Sequence, residues 1–108
     1  MNPKALVEKW VDAFNQANAK KLADFYHDDA INHQVANEPV IGKQAIEEMF
    51  FSEFNSTEMV CIPEHIFEDG EWVILEWKDP LGLKGCGFFH ITQGRLNCNG
   101  ATGTSFLF

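Results

Sequence analysis

The chain predicts a segregated α+β fold, with helices first and an antiparallel sheet after them, and two observations carry that expectation. Apolar residues recur at helical spacing up to Phe54 and at a period of two from Thr57 onward. Turn signals at Glu68-Asp69-Gly70, Pro80-Leu81-Gly82 and Gln93-Gly94 then cut the second half into hairpins. The βαβ alternation of a nucleotide-binding sheet is absent.

Residues 2–17 open the chain as an amphipathic helix. Leu6, Val7, Trp10, Val11 and Phe14 share one face, Asn2 suits the cap and Pro3 the first turn. Residues 20–26 read as a short second helix with Asn18 as its cap and Leu22, Phe25 and Tyr26 facing inward, stopped by His27-Asp28-Asp29. Residues 31–35 are extended, and Glu38-Pro39-Val40-Ile41-Gly42 turns into a third helix. Its apolar face is Ile46, Met49, Phe50 and Phe54, with Glu47 and Glu48 outward. Residues 57–67 form a strand broken or bulged at Pro63, which cannot donate to a central ladder. Strands over 71–79, 85–92 and 95–99 follow, and 100–108 is expected to be a last partial strand.

The 108 residues fit one domain, and 45% of them are hydrophobic, enough for a packed core. A net charge of −8 repels nucleic-acid backbones and anionic lipid, so neither is an expected partner. Ten Phe, three Trp and one Tyr supply either an aromatic core or rings around an apolar cavity, and composition does not choose between them. Cys61, Cys86 and Cys98 form no C-x-x-C pair and read as reduced thiols of a cytoplasmic protein. Lys4, Glu8, Lys9 and Asp12 interrupt the apolar residues of the N-terminus, so no export signal or membrane anchor is expected.

The string Phe25-Tyr26-His27-Asp28-Asp29-Ala30-Ile31-Asn32-His33-Gln34, followed by Val40-Ile41-Gly42-Lys43-Gln44-Ala45-Ile46, resembles the nuclear transport factor 2-like superfamily, close to its SnoaL-like polyketide cyclase and ketosteroid isomerase branches. Phe67-Glu68-Asp69-Gly70-Glu71-Trp72-Val73, Gly87-Phe88-Phe89-His90-Ile91 and Gly94-Arg95-Leu96 fit the same pattern of paired strands. The resemblance covers most of residues 1–99 and implies one SnoaL-like domain over 1–108. It further implies a curved antiparallel sheet wrapped around the N-terminal helices as a cone, an apolar cavity, and a homodimer joined through the outer sheet face. Members of such families are isomerases, cyclases, epoxide hydrolases, dehydratases or binding proteins, so the residues must decide the function.

Two departures bear on that decision. Where the isomerase branch commonly carries its proton-abstracting aspartate, this chain has Gln34, and an amide is no base. Where the SnoaL-like branch often places an aromatic pair and an acid on the last strand, this chain has Ala101-Thr102-Gly103. The final strand is therefore expected to bring no carboxylate to the cavity.

Asp79 is the leading acid candidate, because alternation from Val73, Leu75 and Trp77 puts it on the same strand face, where aromatic neighbours would favour its neutral form. The competing reading is that Asp-Pro at a strand end opens a turn. His33 is the candidate proton shuttle at the cavity rim, since histidine titrates near neutral pH. Gln34 and Trp77 are the candidate substrate-binding residues, although alternation forbids His33 and Gln34 from both pointing inward along a regular strand. Phe14, Tyr26 and Trp72 look the same as core packing, His90 is expected to face outward, and His27 and His65 read as exposed polar positions. No metal-ligand spacing occurs, and no cofactor is expected.

The expected function is binding of a small apolar or carbonyl-bearing organic molecule, with cofactor-free isomerase, cyclase or hydrolase activity by general acid-base catalysis. The alternative is a non-catalytic ligand-binding or dimerisation module.

Overall fold

The computed structural model describes residues 1–35 and 37–103. Helix α1 (Pro3–Asn15) is capped by Asn2, whose side-chain oxygen accepts the Ala5 amide at 2.8 Å. It buries Leu6, Val7, Trp10, Val11 and Phe14, the face its spacing predicts. Helix α2 (Ala19–Ala23) is capped by Asn18 and is shorter than expected. Tyr26 leaves the helix and instead opens strand β1 (Tyr26–Gln34), because it finds a strand partner in Leu96 near the far end of the chain. A two-residue strand, β2 (Val40–Ile41), pairs with β1 and leads into helix α3 (Lys43–Ser56).

The second half is the expected series of hairpins: β3 (Ile62–Asp69), β4 (Trp72–Lys78), β5 (Lys84–Thr92) and β6 (Arg95–Gly103). The register shift in β3 falls between Pro63 and His65, where proline removes a ladder donor. Residues 100–103, expected to begin a separate last strand, instead continue β6, and the rest of that expected strand, 104–108, lies outside the described residues.

The six strands form one curved sheet in the order β2-β1-β6-β5-β4-β3, giving a cone-like α+β fold that is not closed into a barrel. It departs from a purely antiparallel sheet at one seam, where β1 lies parallel to β6. That seam sets Asn32 directly beside Asn99, and Gln34 beside Ala101.

Alternation divides the sheet into two faces. Val73, Leu75 and Trp77 of β4 and Phe89 and Ile91 of β5 are buried against the helices, while Trp72 and Ile74 remain exposed on the outer face. The core is one cluster knitted by rings: Trp10 stacks on Phe14 at 5.3 Å and meets Phe89 edge-on at 5.1 Å, and Phe14 meets Phe50 and Phe54 edge-on. Each such pair adds roughly 0.5–1.5 kcal/mol beyond simple burial.

Candidate functional site

Between α1, α3 and the inner sheet face lies a cavity of about 20 Å³, room for one water-sized group. The rings of Trp10, Phe14, Phe50, Trp77 and Phe89 form most of its wall. Asn32, Gln34 and Asn99 supply its polar side chains, and among the described residues no carboxylate, histidine, lysine or arginine lines it. Cys61 also lines it, but burial pushes the thiol up to about 12, so it stays protonated and is no nucleophile at neutral pH. Asn32 and Gln34 also line a second space of about 200 Å³ with Asn37, Glu38, Val40 and Met49, so these two amides form the neck between the two spaces.

The position of Trp77 is set by its neighbours on β5. Trp77 pairs with Gly85 and Leu75 with Gly87, and the indole lies over both glycines. A Cβ at Gly85 would run into indole Cζ2, and one at Gly87 would stand 3.1 Å from Cζ3. The two glycines of Gly85-Cys86-Gly87 are therefore the floor on which the ring rests.

A chain of hydrogen bonds runs behind the cavity. Trp10 Nε1 donates to the Tyr26 hydroxyl at 3.1 Å, Tyr26 donates to Asn99 Oδ1 at 3.0 Å, and Asn32 Nδ2 donates to the same oxygen at 3.0 Å. Burial holds the Tyr26 phenol above its ordinary range, so its proton is present at any physiological pH. Three buried polar atoms have no protein partner among the described residues: Asn32 Oδ1, Trp77 Nε1 and Glu53 Oε2. The first two belong to residues of the cavity wall. Glu53, on α3, is raised from the usual carboxylate range by burial, and the Gln34 side chain beside it partly offsets the rise.

Gln34 and Trp77 both line the cavity. Asp79 does not. It is buried on the expected side of its strand, but it lies past the end of β4 and its Oδ1 accepts the amides of Leu81 and Leu83, each at 2.9 Å. The turn before β5 has taken the carboxylate, which does not line the cavity. His33 is likewise outside it: with Asn32 and Gln34 inward, alternation turns His33 to the opposite face, half-buried. The expectation that Asp79 faces Gln34 across an apolar pocket, with His33 assisting from the rim, is therefore corrected by turn chemistry at one residue and strand period at the other. His90 faces outward as expected, stacked on Trp72 at 4.4 Å and paired with Glu71. Phe14 lines the cavity, Tyr26 stands behind it, and Trp72 lies on the outer face.

Sequence reasoning did not single out Asn32, Asn99 or Glu53. The signals were present: Asn32 lies two residues before Gln34 on one strand face, and Glu53 follows Ile46 and Phe50 at seven and three residues on one helix face.

A curved sheet over three helices, enclosing a ring-lined cavity with a neck of amides, defines a class of small cone-fold proteins. The SnoaL-like domain family matches residues 7–98, and the chain belongs to that family. Among curated proteins, none matches the sequence. Similar solved structures include a SnoaL-like protein from Burkholderia thailandensis, 12% identical with a TM-score of 0.84 over 95% of each chain. An "LEH-like" epoxide hydrolase from M. tuberculosis is 19% identical, with a TM-score of 0.80 over 92% of this chain and 80% of that one. The epoxide hydrolase/cyclase-like enzyme SalBIII, of pyran ring formation in the polyether salinomycin, is 16% identical, with a TM-score of 0.81 over 94% of this chain and 89% of that one. Likeness at these identities establishes the shared fold. No helix among the described residues is long and apolar enough to cross a membrane.

Proposed function

We propose that this chain binds a small, largely apolar organic molecule in the space of about 200 Å³ outside the amide neck, with the Gln34 amide orienting a polar group there and one small group of the ligand reaching the inner cavity walled by Trp77. The observation that carries this reading is the cavity itself: aromatic walls, buried amides at the neck, and a larger space beyond them. The test is a binding screen of neutral carbonyl compounds against the native chain and an Ala101→Leu variant, since Ala101 lines the cavity and a larger side chain there fills it. Binding that survives in a folded Ala101→Leu protein would contradict the reading.

A second reading, cofactor-free isomerase, cyclase or hydrolase chemistry, is favoured by Glu53. Its raised carboxyl stands beside Gln34, a cavity amide, so it is the acid suited to positioning and polarising that amide during proton transfer. On this reading Glu53 takes the part first assigned to Asp79 and His33.

We extend the proposal to a homodimer and to the cytoplasm. Trp72 is 46% exposed, Ile74 37% and Phe67 55%. Trp72 and Ile74 share the outer face, and a second copy is the occupant that the family suggests for it. A light-scattering mass of one chain across micromolar concentrations would exclude the dimer. Cys61, Cys86 and Cys98 are all free, in keeping with a reducing compartment.

A further inference from the structure

The Asn32 amide is held in one orientation by hydrogen bonds whose directions follow from the chemistry of their donors. Indole nitrogen only donates, so Trp10 gives its proton to the Tyr26 oxygen, and Tyr26 gives its own to Asn99 Oδ1. The same oxygen takes its second hydrogen from Asn32 Nδ2. Asn32 Oδ1 is left over: the residue is 3% exposed, and that oxygen has no partner among the described residues.

The sheet decides which side that oxygen is open to. Asn99 of β6 flanks Asn32 on one side of β1, and Val40 of β2 is its register partner on the other. With Nδ2 turned toward β6, Oδ1 is turned toward β2, and Val40 lines the space of about 200 Å³ outside the neck. Asn32 also lines the inner cavity, which has room for one water-sized group. The unpartnered acceptor therefore stands where the larger space narrows to room for a single small group.

We propose that the neck selects a neutral alcohol: the ligand lodges in the outer space against Val40 and Met49, and its hydroxyl hydrogen goes to Asn32 Oδ1. This rests on the ligand-binding reading above and adds the group that the neck recognises. A carbonyl or ether oxygen in the same place sets one acceptor against another and leaves the buried Asn32 Oδ1 unpaired, which is costly. An anion meets no cation there, because among the described residues no lysine, arginine or histidine lines either space, and the Glu38 carboxylate lines the outer one. An ammonium bears a different cost. At the neck it exchanges its water for amides, while Glu38 is exposed and its charge is screened by solvent. A space of about 200 Å³ suits a ring with a short substituent, since a cavity of about 150 Å³ takes benzene alone.

The test uses three probes of one skeleton: 1-phenylethanol, acetophenone and 1-phenylethylamine, which present a hydroxyl, a carbonyl and, at neutral pH, an ammonium. Calorimetric titration of the native protein is expected to show the alcohol binding about tenfold or more tightly than the ketone, and more tightly than the ammonium. Asn32→Leu keeps the size of the side chain and removes the acceptor, so the alcohol and the ketone are expected to bind the folded variant alike. A ketone that binds the native protein as tightly as the alcohol overturns the inference whether or not the variant folds, and leaves the ligand-binding reading intact. An alcohol preference that persists unchanged in folded Asn32→Leu overturns it as well, and tightest binding by the ammonium overturns the neutrality. If none of the three binds, the inference falls, whereas the ligand-binding reading falls only if the wider screen also finds no binder.

Discussion

Replacing Tyr26 by Phe removes one hydroxyl and strands the groups on either side of it. The Trp10 Nε1 hydrogen loses its acceptor inside the core, and Asn99 Oδ1 loses one of two donors while keeping Asn32. An orphaned buried donor costs about 1–3 kcal/mol, and a lost bond at an atom that keeps a second partner about 0.5–1.5 kcal/mol. Because Tyr26 is fully buried, water does not replace the hydroxyl without opening the core. We expect a loss of about 2–3 kcal/mol in urea unfolding followed by circular dichroism, with an unchanged m-value, and a fall of about 10–15 °C in Tm for a domain of this size. A loss under about 0.5 kcal/mol would refute the hydrogen-bond chain as drawn.

Substitutions at three further positions separate packing, turn and charge. Gly85→Ala drives a Cβ into the Trp77 indole, and overpacking of this kind is expected to cost about 1–3 kcal/mol by denaturant titration. Asp79→Ala frees the Leu81 and Leu83 amides and is expected to cost about 1–2 kcal/mol, while Asp79→Asn, which keeps the accepting oxygen, stays near native; calorimetry should find ligand affinity unchanged in both. Glu53 is raised in the fold, so the folded state holds its proton more tightly than the unfolded state does. Its contribution is thus most favourable at acid pH and is lost as pH rises from the ordinary glutamate range through the folded value. Glu53→Gln should remove that falling component from the stability curve, measured by unfolding at a series of pH values, and a curve parallel to native would contradict the assignment.

Much of the fold was legible because the governing signals are local. The α1 face follows from Leu6, Val7, Trp10, Val11 and Phe14, and the β4 and β5 faces from strict alternation, with turn residues marking the hairpins between them. What escaped was non-local. Tyr26 looks like the end of a helix until Leu96 is available to pair with it, and nothing near residues 26–34 announces a parallel partner some seventy positions away. The site divided along the same line. Gln34 and Trp77 were readable from family position and alternation, whereas Asn32 and Asn99 acquire meaning only when the β1–β6 seam sets them side by side. At Asp79 the alternation was right and its consequence was not, because two backbone amides of the following turn reach the carboxylate. Glu53 was hidden by its setting among aromatic residues, which made the α3 face look wholly apolar.

The three tryptophans provide the most direct measurement of the central claim, that the cavity is where a ligand binds. Trp10 and Trp77 line it, and Trp72 lies on the outer sheet face as an internal control. Each indole N–H gives its own resonance in a proton–nitrogen correlation spectrum, assigned by single Trp→Phe variants. Titration with a neutral carbonyl compound that the binding screen finds is predicted to move the Trp77 and Trp10 resonances and to leave Trp72 in place. Movement of Trp72 alone, or saturable binding that moves neither Trp10 nor Trp77, would contradict the account.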